Sequence, residues 1–186
     1  GTDGIAASEA IFVVLAGAFL SYHVLSDANH SAAVVVLAAS TFGFILYNWS
    51  PAKIFMGDVG SGYLGIVIGG ISLIAANQDP DLLWVWIILL AVFVSDATAT
   101  LIRRLLRKQK PHVAHRSHAY QHLAIRLDSH AKVALLVLAV NIAWLLPIAF
   151  LVADKQLAGT TGVIIAYVPL LVAVLALSAG KDSATN

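Results

Sequence analysis

The sequence predicts an all-α, polytopic membrane protein, and three observations lead to that prediction. Of its 186 residues, 60% are hydrophobic and only 11% are charged, whereas a typical soluble domain has about 25% charged residues. The apolar residues form long uninterrupted segments, and the lysines and arginines are concentrated in one interval. The chain has no cysteine, which excludes disulfides and thiolate metal sites.

Six segments approach the roughly 20 apolar residues that a helix needs to cross a bilayer. They are residues 5–25, 32–47, 59–76, 82–102, 133–152 and 161–179. The second is short, so a thinner bilayer or a neighbouring helix must accommodate it. Six such segments in succession, with hardly a charge inside them, disfavour a soluble helical protein. We therefore predict six spans within one integral-membrane domain covering residues 1–186.

The basic residues predict how these spans are oriented. Eight of the eleven lysines and arginines lie in residues 103–132, and loops rich in these residues face the cytoplasm. With six spans, both chain ends and the loop at 48–58 then also face the cytoplasm. The turns at 26–31 and 77–81 contain neither lysine nor arginine, as outer loops should. Three polar segments, 2–9, 48–65 and 103–128, are thus predicted to share one membrane face.

The most informative of these segments is residues 48–65, which read NWSPAKIFMGDVGSGYLG. Asp58 and Ser61 are residue types that cap helix N-termini, and a helix N-terminus favours an anion such as a diphosphate. Three glycines would let backbone N–H groups approach a ligand closely; they are Gly57, Gly60 and Gly62. Asp58 could hold Mg²⁺, which pairs carboxylates with phosphate oxygens. The spacing alone equally allows a capped helix whose glycines pack against other helices.

A second group of candidate residues is the histidines of the basic loop, at spacings of three, three and four: His112, His115, His118 and His122. One alternative is a solvated basic loop near anionic lipid. A second is phosphate recognition by the histidines and Arg116. A third is a zinc site, because histidine is a common zinc ligand. Spacing does not choose among the three.

Acidic residues near or within the predicted spans have alternative roles. Asp96 is the only one well inside a span, where an unpaired charge is costly. It either orients a residue of the histidine loop or pairs with a neighbour such as Thr100. Glu9 is sufficiently explained as a carboxylate near the positive start of the first helix.

The motif of residues 48–65, N-x6-F-M-G-D-V-G-S-x2-L-G, resembles the signature of the polyprenyl-phosphate N-acetylhexosamine 1-phosphate transferases. These bacterial enzymes begin the synthesis of peptidoglycan, teichoic acid, O-antigen and related glycans. The opening G-T-D-G-I-A resembles the end of the family's N-x-x-D-G-x-D-G-x-A element.

The resemblance implies a substrate pair and a set of roles. The enzymes transfer a sugar 1-phosphate from a UDP-sugar to a polyprenyl phosphate such as undecaprenyl phosphate, releasing UMP. Asp58 would be a catalytic Mg²⁺ ligand, with Mn²⁺ as an alternative ion, and Phe55 would lie against the uracil ring. Asp3 would help to bind the nucleoside, its alternative role being the N-cap of the first helix. Further substrate contacts would come from the same motif: Asn48, Gly57, Gly60 and Ser61. Nucleic acid is not an expected partner.

The histidine loop extends the resemblance. Residues 115–121 read HRSHAYQ, which looks like the O-antigen-initiating subgroup and hence lipopolysaccharide synthesis. Tyr120 stands where the N-acetylglucosamine-transferring relatives have a second histidine. This departure points to another N-acetylated hexosamine, such as N-acetylfucosamine or N-acetylquinovosamine. The implied catalytic contacts are His115, Arg116 and His118, in an active site on the cytoplasmic face of the bacterial inner membrane.

Two other functional classes are disfavoured by the sequence. A transporter would need broken spans and polar residues near mid-membrane, and the predicted spans contain almost none apart from Asp96. A membrane scaffold would leave the motif at 48–65 unexplained. The resemblance covers about the second half of the family, whose earlier spans and adjacent acidic pair have no counterpart here. We therefore expect the chain alone to insert poorly or to be inactive.

Overall fold

The computed structural model describes residues 3–26, 31–108 and 118–177, and every regular element in these ranges is helical. The elements are α1 (Ile5–Leu25), α2 (Ser31–Asn48), α3 (Gly57–Gln78), α4 (Asp81–Leu89), α5 (Ala91–Leu106), α6 (Ala119–Leu127), α7 (His130–Val140), a π-helical turn (Asn141–Leu145), α8 (Leu146–Ala153) and α9 (Gly159–Ala176). The prediction of an all-α fold is confirmed over this part of the chain.

Four helical units are long and apolar enough to cross a membrane: Ile5–Leu25, Gly57–Gln78, His130–Ala153 and Gly159–Ala176. A fifth is obtained if α4 and α5 together form one broken span, and α2 is a shorter apolar helix. Over the described residues, each of the six predicted segments is largely helical, but length and composition support four to five spans. The protein is therefore multi-pass.

The helix predicted over residues 82–102 is not continuous. Its two halves, α4 and α5, meet at Leu90 with a 69° bend. No proline or glycine lies near the break, so the usual sequence signals of a kink are missing. Tertiary packing accounts for it: α4 packs on α8 and α9, whereas α5 continues along α9 and reaches the start of α6.

The core is built around α1 and α4. Within an apolar stretch of 18 residues in each helix, 61% of the α1 residues are buried, compared with 22% in α3 and 22% in α9. Trp86 of α4 is completely enclosed against α1. A Cβ atom at Gly17 would lie 2.5 Å from the Trp86 ring. Only glycine lets the two helices approach this closely, which fixes where α1 lies within the bundle.

Polar contacts mark the two ends of the helices. At one end, His23 lies 3.5 Å from Asp154, and Lys155 pairs with Asp79 at 3.2 Å. At the other end, the start of α1 is bonded to the segment between α2 and α3. The described parts of the three segments predicted to share a membrane face all lie at this second end.

Candidate functional site

A cleft of about 310 Å³ lies at that second end. This volume is at the lower limit of the roughly 300–1,000 Å³ typical of small-molecule sites. Its walls come from α1, α3, α5, the start of α6 and the segment before α3: Ile5, Ala6, Asn48, Phe55, Met56, Gly57, Asp58, Ser61, Phe93, His118 and Tyr120. Four predicted substrate contacts, the predicted metal ligand Asp58 and one predicted catalytic residue of the histidine loop are thus brought together, whereas Asp3 and Gly60 do not line the cleft.

Asn48 organises the segment that carries the motif. Its side chain is buried at the end of α2. Its Oδ1 accepts a hydrogen bond from the Gly4 N–H at 3.1 Å, and its Nδ2 donates to the Ile54 carbonyl at 2.8 Å. One side chain therefore joins the start of α1 to the segment that presents Phe55.

Asp3 supports the same segment from the other side. Its Oδ2 accepts a hydrogen bond from the Ala52 N–H at 3.2 Å and lies 3.2 Å from His130 Nδ1. The residue that caps α1 is Gly4, without a side-chain cap bond, so the alternative role of Asp3 as N-cap is wrong. Its predicted contact with a nucleoside stays a prediction.

The first residue of α3 has a left-handed backbone conformation, and the motif places a glycine there. Gly57 has φ +66°, in the left-handed region that favours glycine. The N-cap position is Met56, without a side-chain cap bond, so the interpretation of Asp58 and Ser61 as caps is wrong. Both lie inside the first turns, where the Ser61 hydroxyl donates to the Asp58 carbonyl at 3.2 Å. Gly60 packs against Met56, whose Cγ lies 2.6 Å from where a Cβ atom would be.

Asp58 and Phe55 both face solvent in the cleft. The Phe55 side chain is 69% exposed, so its ring is accessible as a contact surface. Asp58 supplies the one carboxylate among the described residues that line the cleft. Mg²⁺ is commonly held by one or two carboxylates together with substrate phosphates and water. An exposed carboxylate beside the start of a helix fits such an ion, and Asp58 is the residue that would hold it.

The histidine loop is described only from His118 onwards. His112, His115 and Arg116 lie outside the described residues, so their predicted roles stay predictions. His118 lines the cleft immediately before α6, and its ring stacks on that of Tyr120 with centroids 5.1 Å apart. Within 3–26, 31–108 and 118–177, no three histidine, aspartate or glutamate side chains are grouped closely enough to bind a metal.

Asp96 is buried in α5 beneath the start of α6. Its Oδ1 accepts a hydrogen bond from the Ala119 N–H at 2.7 Å and from the Thr100 hydroxyl at 3.4 Å. Its Oδ2 lies 3.3 Å from His118 Nδ1. Both alternatives from the sequence are therefore found together: Asp96 contacts Thr100, and it also contacts the histidine loop.

Two residues at the cleft have features that the sequence analysis did not identify. Tyr120 is largely enclosed, and this burial, followed by the negative charge of Asp96, raises the pKa of its hydroxyl to about 12. Phe93 lines the cleft as well as two adjoining apolar cavities. A hydrophobic residue within an apolar segment has no distinguishing signal in a single sequence.

Glu9 does not behave as a carboxylate near a helix end. It is buried, and its Oε2 accepts a hydrogen bond from Asn141 Nδ2 at 2.5 Å, so the earlier interpretation is wrong. Asn141 begins the π-helical turn, a feature often found at functional positions. The sequence signal was a polar residue, Asn141, within the apolar segment 133–152. The sequence did not indicate that Glu9 is its hydrogen-bond partner.

The chain is similar in sequence to several known proteins. Residues 1–76 match the family model for glycosyl transferase family 4. Over 128 residues the chain is 38% identical to a probable undecaprenyl-phosphate N-acetylglucosaminyl 1-phosphate transferase of Bacillus subtilis (strain 168), covering 64% of this chain and 36% of that protein. It is 36% identical over 78 residues to a phospho-N-acetylmuramoyl-pentapeptide-transferase of Moorella thermoacetica, covering 42% of this chain and 24% of that protein.

A similar match joins the chain to the phospho-N-acetylmuramoyl-pentapeptide-transferase of Streptococcus pneumoniae (strain R6), with 30% identity over 103 residues, 55% of this chain and 30% of that protein. No solved structure gives a significant match. The chain spans about a third or less of the length of these relatives. These matches confirm the family resemblance, but the O-antigen subgroup stays a prediction.

Proposed function

Because residues 1–76 match the family model for glycosyl transferase family 4, we propose that the chain forms part of an enzyme that transfers a sugar 1-phosphate from a UDP-sugar to a polyprenyl phosphate. The products are UMP and a polyprenyl diphosphate-sugar. One observation carries the proposal: the fold brings His118 into the same cleft as Phe55 and Asp58, although it lies 60 residues after Asp58 in the sequence. Each has a property that one part of a UDP-sugar requires.

The nucleotide end of the donor is assigned to the motif segment. The exposed ring of Phe55 offers a flat apolar surface to the uracil. Asp3 and Asn48 hold that segment to α1, because they bond Ala52, Gly4 and Ile54. Their contribution to nucleotide binding is therefore at least to fix the position of Phe55.

The diphosphate is assigned to the start of α3 and to the histidine loop. Phosphoryl transfer concentrates negative charge on phosphate oxygens, and Mg²⁺, when bound, would neutralise part of it. Asp58, which lines the cleft, would hold that ion. His118 brings an imidazole ring to the same cleft, and we assign His115 and Arg116 to the diphosphate by the resemblance of their motif.

An amphiphilic acceptor suits the surroundings of the cleft. An apolar cavity of about 160 Å³ lies between α1, α5, α6, α7 and α9, and it shares Ile5, Phe93 and Tyr120 with the cleft. The phosphate head group of a lipid could therefore lie in the polar cleft while its hydrocarbon chain contacts the apolar cavity beside it. We extend the proposal to undecaprenyl phosphate, the acceptor in the name of the Bacillus subtilis relative.

The finer parts of the proposal rest on sequence patterns. The six apolar segments favour six spans. With six spans, the basic residues of 103–132 favour cytoplasmic chain ends and a cytoplasmic site in the bacterial inner membrane. The HRSHAYQ motif favours an N-acetylated hexosamine other than N-acetylglucosamine and a role in O-antigen synthesis. In support, Tyr120 stacks directly on His118, so a substitution there alters the wall that faces the sugar phosphate.

The test is Mg²⁺-dependent release of UMP from UDP-N-acetylhexosamines in membranes that contain the full-length protein. Asp58→Asn keeps the size of the side chain but removes its charge, and UMP release should fall to near background. Asp128→Asn is the matched control, because Asp128 is exposed, lies after α6 and has φ +48°, a conformation that asparagine tolerates. If wild-type membranes release no UMP, the transferase function is wrong, and a transporter or a scaffold becomes the better explanation.

A further inference from the structure

Asp96 has the contacts of a residue that acts through another. Its side chain is only 6% exposed, and burying a carboxylate is costly unless hydrogen bonds compensate. Its two oxygens have different tasks. Oδ1 receives the Ala119 N–H and the Thr100 hydroxyl, whereas Oδ2 faces the His118 ring.

The contact with His118 constrains which ring nitrogen meets the cleft. Nδ1 lies 3.3 Å from Asp96 Oδ2 and is buried, while the side chain as a whole is 23% exposed. The backbone N–H of His118 donates to Gln121 Oε1 at 3.1 Å, and the ring is stacked on Tyr120. With Nδ1 beside the carboxylate, Nε2 is the ring nitrogen on the edge away from Asp96. The partner of one ring nitrogen sets the protonation of the other.

We propose that Asp96 is a positioning residue that holds the His118 ring with Nδ1–H toward its own carboxylate and Nε2 toward the cleft. The inference rests on the proposed function in that His118 must accept a proton through Nε2 from a phosphate group of the substrates for the orientation to affect turnover. It goes beyond the family motifs, because Asp96 lies 22 residues before His118 and outside both the glycine-rich segment and the histidine motif.

The competing explanation is that Asp96 only anchors the start of α6 through the Ala119 N–H. Asp96→Asn separates the two. The amide oxygen can still accept from Ala119, so the start of α6 is kept. The introduced amide NH₂ takes the place of Oδ2 and donates to Nδ1, which must then lose its proton. The substitution therefore reverses the tautomer without removing the anchor.

The experiment is a double-mutant cycle on UMP release by the full-length protein, with Asp96→Asn and His118→Ala made singly and together. Asp96→Asn should lower kcat by roughly 10–100-fold, as loss of an orienting partner of a functional histidine commonly does. In the His118→Ala background the same change should have little further effect, because its target is gone. Ser95→Ala is the control: Ser95 is equally buried, and its hydroxyl has no hydrogen-bond partner among the described residues.

A second measurement reads the orientation directly. Nitrogen-15 NMR of histidine-labelled protein in nanodiscs should show the His118 Nδ1 protonated in the wild type and unprotonated in Asp96→Asn. Independent, multiplying effects of Asp96→Asn and His118→Ala on kcat would overturn the proposal, as would an unprotonated Nδ1 in the wild type. If the wild type releases no UMP, the transferase function fails, and the NMR result alone decides whether Asp96 orients His118.

Discussion

Gly57 offers a test of how the backbone of the motif controls the site. Its φ of +66° costs an L-amino acid with a Cβ atom roughly 1–2 kcal/mol. A Cβ atom at this position meets nothing within 4 Å. Gly57→Ala therefore adds a conformational penalty without a steric clash, and its magnitude can be estimated from the dihedral angle alone.

The penalty should appear as lost activity more than as lost stability. A difference of 1–2 kcal/mol changes the population of a conformation by a factor of about 5–30. The alternative backbone would turn Met56 away from Gly60 and move Asp58 relative to Phe55. We expect UMP release by Gly57→Ala to fall by up to this factor, while the thermal midpoint of the protein in detergent changes little because the core around α1 and α4 is untouched.

The matched control is Gly62→Ala, in the same helix and also in open space, but without a positive φ. There alanine should stabilise the helix by about 0.5–1 kcal/mol and leave activity unchanged. Equal activity of the two variants would show that the left-handed conformation of Gly57 is not required. A large drop in the thermal midpoint of Gly57→Ala would refute the reasoning that the penalty is local.

Three further predictions follow from other contacts. Gly17→Ala would put a Cβ atom 2.5 Å from the Trp86 ring. This overpacking should destabilise the protein by roughly 1–3 kcal/mol and lower its thermal midpoint. An unchanged midpoint would contradict the close packing of α1 and α4. His118→Ala should impair UMP release without changing membrane insertion, and metal analysis of the purified wild type should find no stoichiometric zinc; one zinc per chain would restore the metal-site alternative. The pKa of Tyr120 is raised to about 12, so the stability it contributes through this proton is complete below about pH 10 and is lost as pH rises toward 12. Tyr120→Phe should therefore leave the pH profile of UMP release unchanged below about pH 10, and a shifted alkaline limb would show that the hydroxyl ionises earlier.

The helices could be predicted because a membrane-spanning segment must consist mainly of apolar residues. A chain that crosses hydrocarbon must satisfy its backbone internally and present apolar side chains, so long apolar runs specify helices without reference to their neighbours. The start of α1 at Ile5 and its end at Leu25 coincide with the predicted segment 5–25. The break at Leu90 was not predictable in the same way, because it follows from what α4 and α5 pack against and leaves no proline or glycine signal.

Some features of the candidate site could likewise be predicted from the sequence, and others depended on tertiary packing. The sequence determined the resemblance to a family and the acidic glycine-rich segment with Phe55 and Asp58. It also determined the expectation that this segment shares a membrane face with the histidine loop. Contiguous motifs and charge asymmetry are local properties of the chain. Only the tertiary structure decided that Asp96 meets His118 and that Glu9 meets Asn141, 132 residues away. Such pairs depend on how the helices rotate and tilt against one another. Close packing, such as that of Trp86 on Gly17, sets this arrangement. A single sequence does not show which residues pack together.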